Sequence, residues 1–139
     1  MVCKSRYLNT DLDLASAADL TLLTEAFVLA GFIVLNSTQS DEGIWYATFE
    51  TGMSFDDPDC SISAFLDFLD SLKVELQALW MQCTLREFNI GFDCGREPWA
   101  FNQGLSSKVL GRMGSYGASL RITLYPERSE LDVNHGQLS

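Results

Sequence analysis

The chain has 139 residues, 47% of them hydrophobic and 20% charged, with a formal net charge of −10, enough apolar chain to bury the core of one domain without disulfide or metal staples. No stretch approaches the roughly 18 uninterrupted apolar residues of a membrane span, and Lys4 and Arg6 have no apolar run behind them, which predicts neither export nor membrane insertion. Phosphate neutralisation needs a basic footprint, so the charge sets aside direct binding to nucleic acid or to an anionic membrane surface.

Residues 7–14 alternate, Leu8, Thr10, Leu12 and Leu14 against Asn9, Asp11 and Asp13, which predicts a half-buried strand with an acidic outer face. Ser16 and Asp19 approximate a capping box, and Leu20, Leu23, Phe27 and Ala30 follow at helical spacing up to Gly31, so a helix is expected over about 17–30. Phe32 to Ser37 and Ile44 to Thr51 are β-branched and aromatic, and Ser40-Asp41-Glu42-Gly43 between them supplies turn chemistry, predicting a hairpin. After the loop from Gly52 to Cys60, the residues Ile62, Phe65, Leu66, Leu69, Leu72, Leu76, Leu79 and Trp80 hold a helical period for about five turns, which predicts one long helix. Arg86 to Asp93 alternates again, with Phe88, Ile90 and Phe92 on one face. A loop from Cys94 to Gln103 follows. Ser106 or Ser107 can cap a short helix through Val109, Leu110 and Met113 that ends by Gly117, and Ala118, Leu120, Ile122 and Leu124 then alternate up to Pro126.

The order β-α-β-β-α-β-α-β predicts one α+β domain over residues 1–126: a four- to five-stranded, mostly antiparallel sheet with helices packed on it. Its first six elements match the split β-α-β arrangement of a ferredoxin-like core, with a helix and a strand appended. A right-handed crossover through the last helix would lay the final strand parallel to its predecessor. Residues 127–139 read as a flexible polar tail. No internal repeat, low-complexity tract or linker divides the chain.

Leu66 to Leu79, Phe88-Asn89-Ile90-Gly91, Gly104-Leu105-Ser106 and the run Gly117 to Tyr125 carry a resemblance over roughly 61–126. That half resembles bacterial domains of unknown function in which a long amphipathic helix, a strand, a loop, a short capped helix and a terminal strand succeed one another. The first sixty residues depart from that pattern. The resemblance implies a fold and brings no catalytic motif; some members of the family look like immunity proteins, which neutralise a toxin by binding it.

The cysteines at 3, 60, 83 and 94 form no Cys-x-x-Cys pair and no Cys/His cluster, so they are expected as free thiols in the reducing cytoplasm and not as zinc ligands. Asp56-Asp57-Pro58-Asp59 offers carboxylates to a hard cation but lacks the alternating acids, the sixth-position Gly and the twelfth-position Glu of a calcium loop. An Asp before a helix is better read as its cap. Asp11 and Asp13 share one strand face, where a catalytic pair would have to be buried together; solvation, or protection of a sheet edge, is the plainer reading. Cys94 stands beside Arg96, whose cation would lower a thiol pKa, but His135, the only histidine, lies in the tail, so a nucleophile there has no base. The glycines are spaced wrongly for a phosphate loop. Neither metal nor cofactor is expected.

Charge is polarised along the chain. Lys4 and Arg6 face twelve acids up to Leu72, with no Lys or Arg between Tyr7 and Leu72, whereas from Lys73 onward seven bases balance seven acids. A single-sign field steers an oppositely charged protein and rejects wrong partners. The expected function is therefore an acidic interaction module that binds and inhibits a basic protein, immunity-protein-like or occupying the partner's nucleic-acid groove. Asp11, Asp13, Asp41, Glu42, Asp56, Asp57, Asp59, Asp67 and Asp70 are its candidate contact residues. The alternative is a small ligand-binding domain or enzyme with a pocket near Cys94, Arg96, Trp99 and Phe101. The pattern also allows a homo-oligomer that completes its sheet at an exposed edge.

Overall fold

In the computed structural model, which describes residues 3–127, the alternating segments become strands β1 (Arg6–Ser16), β2 (Ile33–Gln39), β3 (Trp45–Glu50), β4 (Leu85–Asp93) and β5 (Ser119–Tyr125). The periodic ones become helices α1 (Thr21–Leu29), α2 (Pro58–Asp70), α3 (Val74–Gln82) and α4 (Ser107–Ser115). The strands form one sheet in the order β2-β3-β1-β4-β5. All neighbours are antiparallel except β4 and β5, which run parallel as the expected crossover through α4 requires. Placing β3 between β1 and β2 is what a split β-α-β demands, so the order is compatible with a ferredoxin-like core. The chain is an α+β protein with a mixed five-stranded sheet. No helix among the described residues is long and apolar enough to cross a membrane.

Alternation decides which face the helices cover. Leu12, Leu14, Ala47, Phe49, Phe88 and Ile90 point to one side of the sheet and are buried with Leu23 and Phe27 of α1, Ile62, Phe65, Leu66 and Leu69 of α2, Trp80 of α3 and Val109 and Met113 of α4. Phe27 stacks on Phe49 at 4.1 Å between ring centroids, and Phe65 meets Phe88 at 5.5 Å. Each fully buried side chain of this size contributes about 1.5–3 kcal/mol. Among the described residues no helix lies on the opposite face, which carries Asp11, Asp13, Glu50, Glu87 and Asn89.

Four local expectations change. The long helix is broken at Ser71: its hydroxyl donates to the Phe68 carbonyl at 2.6 Å, Leu72 N–H turns back to the Leu69 carbonyl, and Lys73 is extended, so local hydrogen bonds compete with helix continuation. Ser16 does not cap α1, because it is the last residue of β1; Leu20 stands at the cap position without a side-chain bond, and the Asp19 carboxylate accepts instead from Thr21 N–H at 2.8 Å. A bulge between Tyr7 and Asn9 leaves Leu8 exposed and turns Tyr7 inward, where its hydroxyl lies 2.7 Å from Thr10 Oγ1 and 2.8 Å from Ser61 Oγ. β1 is central, so Asp11 and Asp13 protect no edge.

The last helix forms as its sequence predicts. Ser106 Oγ accepts from Val109 N–H at 3.2 Å, and Gly117, at φ +66°, terminates the helix in the left-handed conformation that glycine adopts without strain. The expected tail begins at Glu127, the last described residue, whose carboxylate meets Arg96 Nε at 3.2 Å; the rest of it, with His135, lies outside the described residues.

Candidate functional site: the uncovered sheet face

Two cross-strand rows build this face. In one, Glu50 of β3, Asp11 of β1 and Asn89 of β4 lie side by side, with Arg121 of β5 beyond; in the other, Thr48, Asp13, Glu87 and Ser119 do. Like charges therefore stand directly opposite one another twice, Asp11 against Glu50 and Asp13 against Glu87, an arrangement that destabilises a sheet. Neighbouring donors offset part of the repulsion. Asn9 Nδ2 donates to Asp11 Oδ1 at 3.1 Å and to Glu50 Oε2 at 3.2 Å, Thr48 Oγ1 donates to Asp13 Oδ1 at 2.7 Å, and Arg121 Nε holds Glu87 Oε1 at 2.7 Å. The Asp11, Asp13 and Glu50 carboxylates have no ion-pair partner among the described residues. Desolvation first, then the charges of Glu50 and Asp13, push the Asp11 carboxyl up to about 6.

The other candidate acids lie elsewhere. Asp41 and Glu42 form the exposed turn between β2 and β3, and Asp56 is exposed before α2. Asp57 caps α2, accepting from Cys60 N–H at 2.8 Å, while Asp59 accepts from Ser106 N–H at 2.7 Å and so ties α2 to the start of α4. Asp67 and Asp70 both hold Arg112 of α4, at 2.8 and 2.9 Å, and Tyr116 donates its hydroxyl to Asp70, which lowers the Asp70 carboxyl below its ordinary range. Three of the nine candidates, Asp59, Asp67 and Asp70, thus join α2 to α4 on the covered side of the sheet, Asp57 caps its own helix, and only Asp11 and Asp13 stand on the bare face. Glu50 and Glu87 belong with them, and nothing in their own strands singles them out until strand order is known. Among the described residues no three His, Cys, Asp or Glu side chains group as a set of metal ligands.

The residues of the alternative pocket also separate. Cys94 and Phe101 line a groove of about 400 Å³ with Phe92, Gln103, Ile122 and Leu124, and Phe101 meets Phe92 edge-on at 5.9 Å. Arg96 is turned to Glu127, and Trp99, 98% exposed, stands out from the same loop. The loop is anchored where Arg96 N–H reaches the Cys3 carbonyl at 2.9 Å. Gly95 permits that approach, since a Cβ there would lie 2.4 Å from the Cys3 carbonyl oxygen. All four cysteines are free thiols. A larger cleft of about 510 Å³ opens between α1, the β3–α2 loop and α2, lined by Phe32, Met53, Phe55, Phe68 and Asp67; its only ionisable lining group, Asp67, is engaged by Arg112.

Comparisons with models of protein families, with curated proteins and with solved structures find no match to this chain.

Proposed function

We propose that the chain is an acidic interaction module that binds and inhibits a basic protein, in the manner of an immunity protein or of an inhibitor seated in a nucleic-acid-binding groove, and that it works in the cytoplasm. The observation that carries this reading is the two pairs of opposed carboxylates, Asp11 against Glu50 and Asp13 against Glu87, on a sheet face with no helix over it among the described residues. Such a face is destabilised by its own charge when bare, and a lysine- or arginine-rich surface laid across it removes that repulsion. Neutralising charge by a partner raises association rate and selects against acidic competitors. Asp41, Glu42 and Asp56 extend the field as rim charges, which act on encounter more than on the strength of the final complex.

The test uses two baits in lysate of the source, the wild-type protein and the triple variant Asp11→Asn, Asp13→Asn, Glu50→Gln, each at low and moderate salt. A basic protein retained by the wild type, released by salt and lost from the triple variant is the expected result. Equal recovery on both baits would remove the sheet face from the function. Neutralisation is preferred here to altering Asp57 or Asp59, whose capping and tying bonds would make lost binding and lost folding indistinguishable.

A further inference from the structure

The last strand of the described residues, β5, is a sheet edge whose core-side face the helix layer leaves partly open. β5 pairs only with β4 among the described residues. Its residues Leu120, Ile122 and Leu124 are in register with Phe88, Ile90 and Phe92, so they point to the same side as the core. Yet they are 40%, 57% and 61% exposed, whereas Phe88 is fully buried. They form one wall of an apolar groove whose other wall is Phe101 and Leu105 of the preceding loop and Leu110 of α4. Natural edge strands are blunted by inward-pointing charges, prolines or bulges. β5 has none of these, and its one charged residue, Arg121, faces the other way and is held by Glu87.

We propose that β5 is the seam of a homodimer, in which two copies pair their β5 strands antiparallel about Ile122 and fuse their sheets into one. Pairing about Ile122 overlaps all seven residues of the strand. It sets Ile122 against its own copy, Leu120 against Leu124 and Arg121 against Thr123, so apolar meets apolar on the core side and no charge meets its like. That self-complementarity is what a two-fold interface requires.

Electrostatics selects this edge over the other. With strands about 4.8 Å apart, joining at either edge leaves the two central β1 strands, with Asp11 and Asp13, about 24 Å apart, well past a Debye length of about 8 Å at physiological salt, so the choice turns on the strand next to each edge. The acids nearest the seam, Glu87 and Asp93 of β4, are paired with Arg121 and Arg6. Joining at β2 would bring the two β3 strands, each with Glu50, within about 14 Å. β2 is also the more polar edge, ending in Asn36-Ser37-Thr38-Gln39. The proposal is independent of the basic partner, since the carboxylate face stays open in the dimer.

Sedimentation equilibrium on the full chain over a concentration series tests it, with Ile122→Lys, Leu124→Glu and, as a control on the opposite edge, Leu35→Lys. The wild type and Leu35→Lys are expected to approach twice the 15.5 kDa chain mass. Ile122→Lys should weaken dimerisation by about a hundredfold or more, since it buries an unpaired charge at the seam, with an unchanged circular dichroism spectrum. Should Ile122→Lys fold poorly, Leu124→Glu, at the most exposed of the three positions, carries the same test. A wild type that stays monomeric throughout, or a dimer that survives both β5 variants, overturns the proposal.

Discussion

Asp11 and Glu50 face each other across an antiparallel strand pair and share a single amide donor, Asn9 Nδ2. Two carboxylates in that position repel, and the fold retains them. Their charge is tolerated at some expense of stability, which is why the face is read as a binding surface.

That expense has a pH signature. The Asp11 carboxyl lies at about 6 in the folded chain against an ordinary 3.8, so the native state holds its proton more tightly and stability falls as pH rises from about 4 to about 6. Because Asp11 is only half-buried, solvent screening reduces the effect to about 1 kcal/mol. Asp11→Asn should therefore raise stability by about that amount at pH 7 and leave it unchanged below pH 4, as read by urea unfolding across the range. Equal effects at both pH values would mean that Asp11 is not strained by its neighbours.

Arg86 joins the end of α3 to the glycine that terminates α4. Its Nη1 donates to the carbonyls of Trp80, Met81 and Cys83 at the end of α3, at 3.1–3.2 Å, and its Nε to the Gly117 carbonyl at 3.2 Å. Removing it leaves several carbonyls without a donor near the negative end of a helix dipole. Arg86→Ala is expected to cost about 2–3 kcal/mol in chemical unfolding. Arg86→Lys should restore only part of that, since an ammonium cannot span the same acceptors.

Much of this architecture is legible in the sequence. The alternation of Phe88, Ile90 and Phe92, the Ser106 cap and the Gly117 stop define β4 and α4, and the crossover rule places β5 parallel to β4. The break after Asp70 is hidden because Leu72, Leu76 and Leu79 continue the helical period across it, and Leu72 is still buried. The Leu8 bulge is hidden for the same reason: a perfect alternation conceals an extra residue. Glu50 and Glu87 become part of the site only through strand order, which no local pattern encodes, while Asp67 and Asp70 look like free surface charge until α4 delivers Arg112.

Gly52 tests the loop geometry around the larger cleft. A Cβ on it would lie 2.2 Å from the Gly31 carbonyl oxygen, a backbone atom that cannot swing aside. Gly52→Ala should lower stability by about 2 kcal/mol in thermal or urea unfolding. Gly104→Ala, where a Cβ meets nothing, should be neutral within about 0.5 kcal/mol.

Thr24 Oγ1 is the one buried side-chain oxygen among the described residues with no hydrogen-bond partner. Replacing it with a methyl of the same shape removes a desolvated polar group and adds apolar burial. Thr24→Val is therefore expected to be neutral to slightly stabilising in thermal unfolding, by up to about 1 kcal/mol. A marked loss would reveal a bond to that hydroxyl which the static structure does not hold.

The most direct measurement of the central claim is the association rate of the captured basic protein with the wild-type chain and with the Asp11→Asn, Asp13→Asn, Glu50→Gln variant, followed by stopped flow as ionic strength rises. Steering by the carboxylate face requires the variant to associate about tenfold more slowly at low salt, and the two rates to converge at high salt. Indistinguishable rates at low salt would contradict the account and leave the acidic half of the chain without a role in recognition.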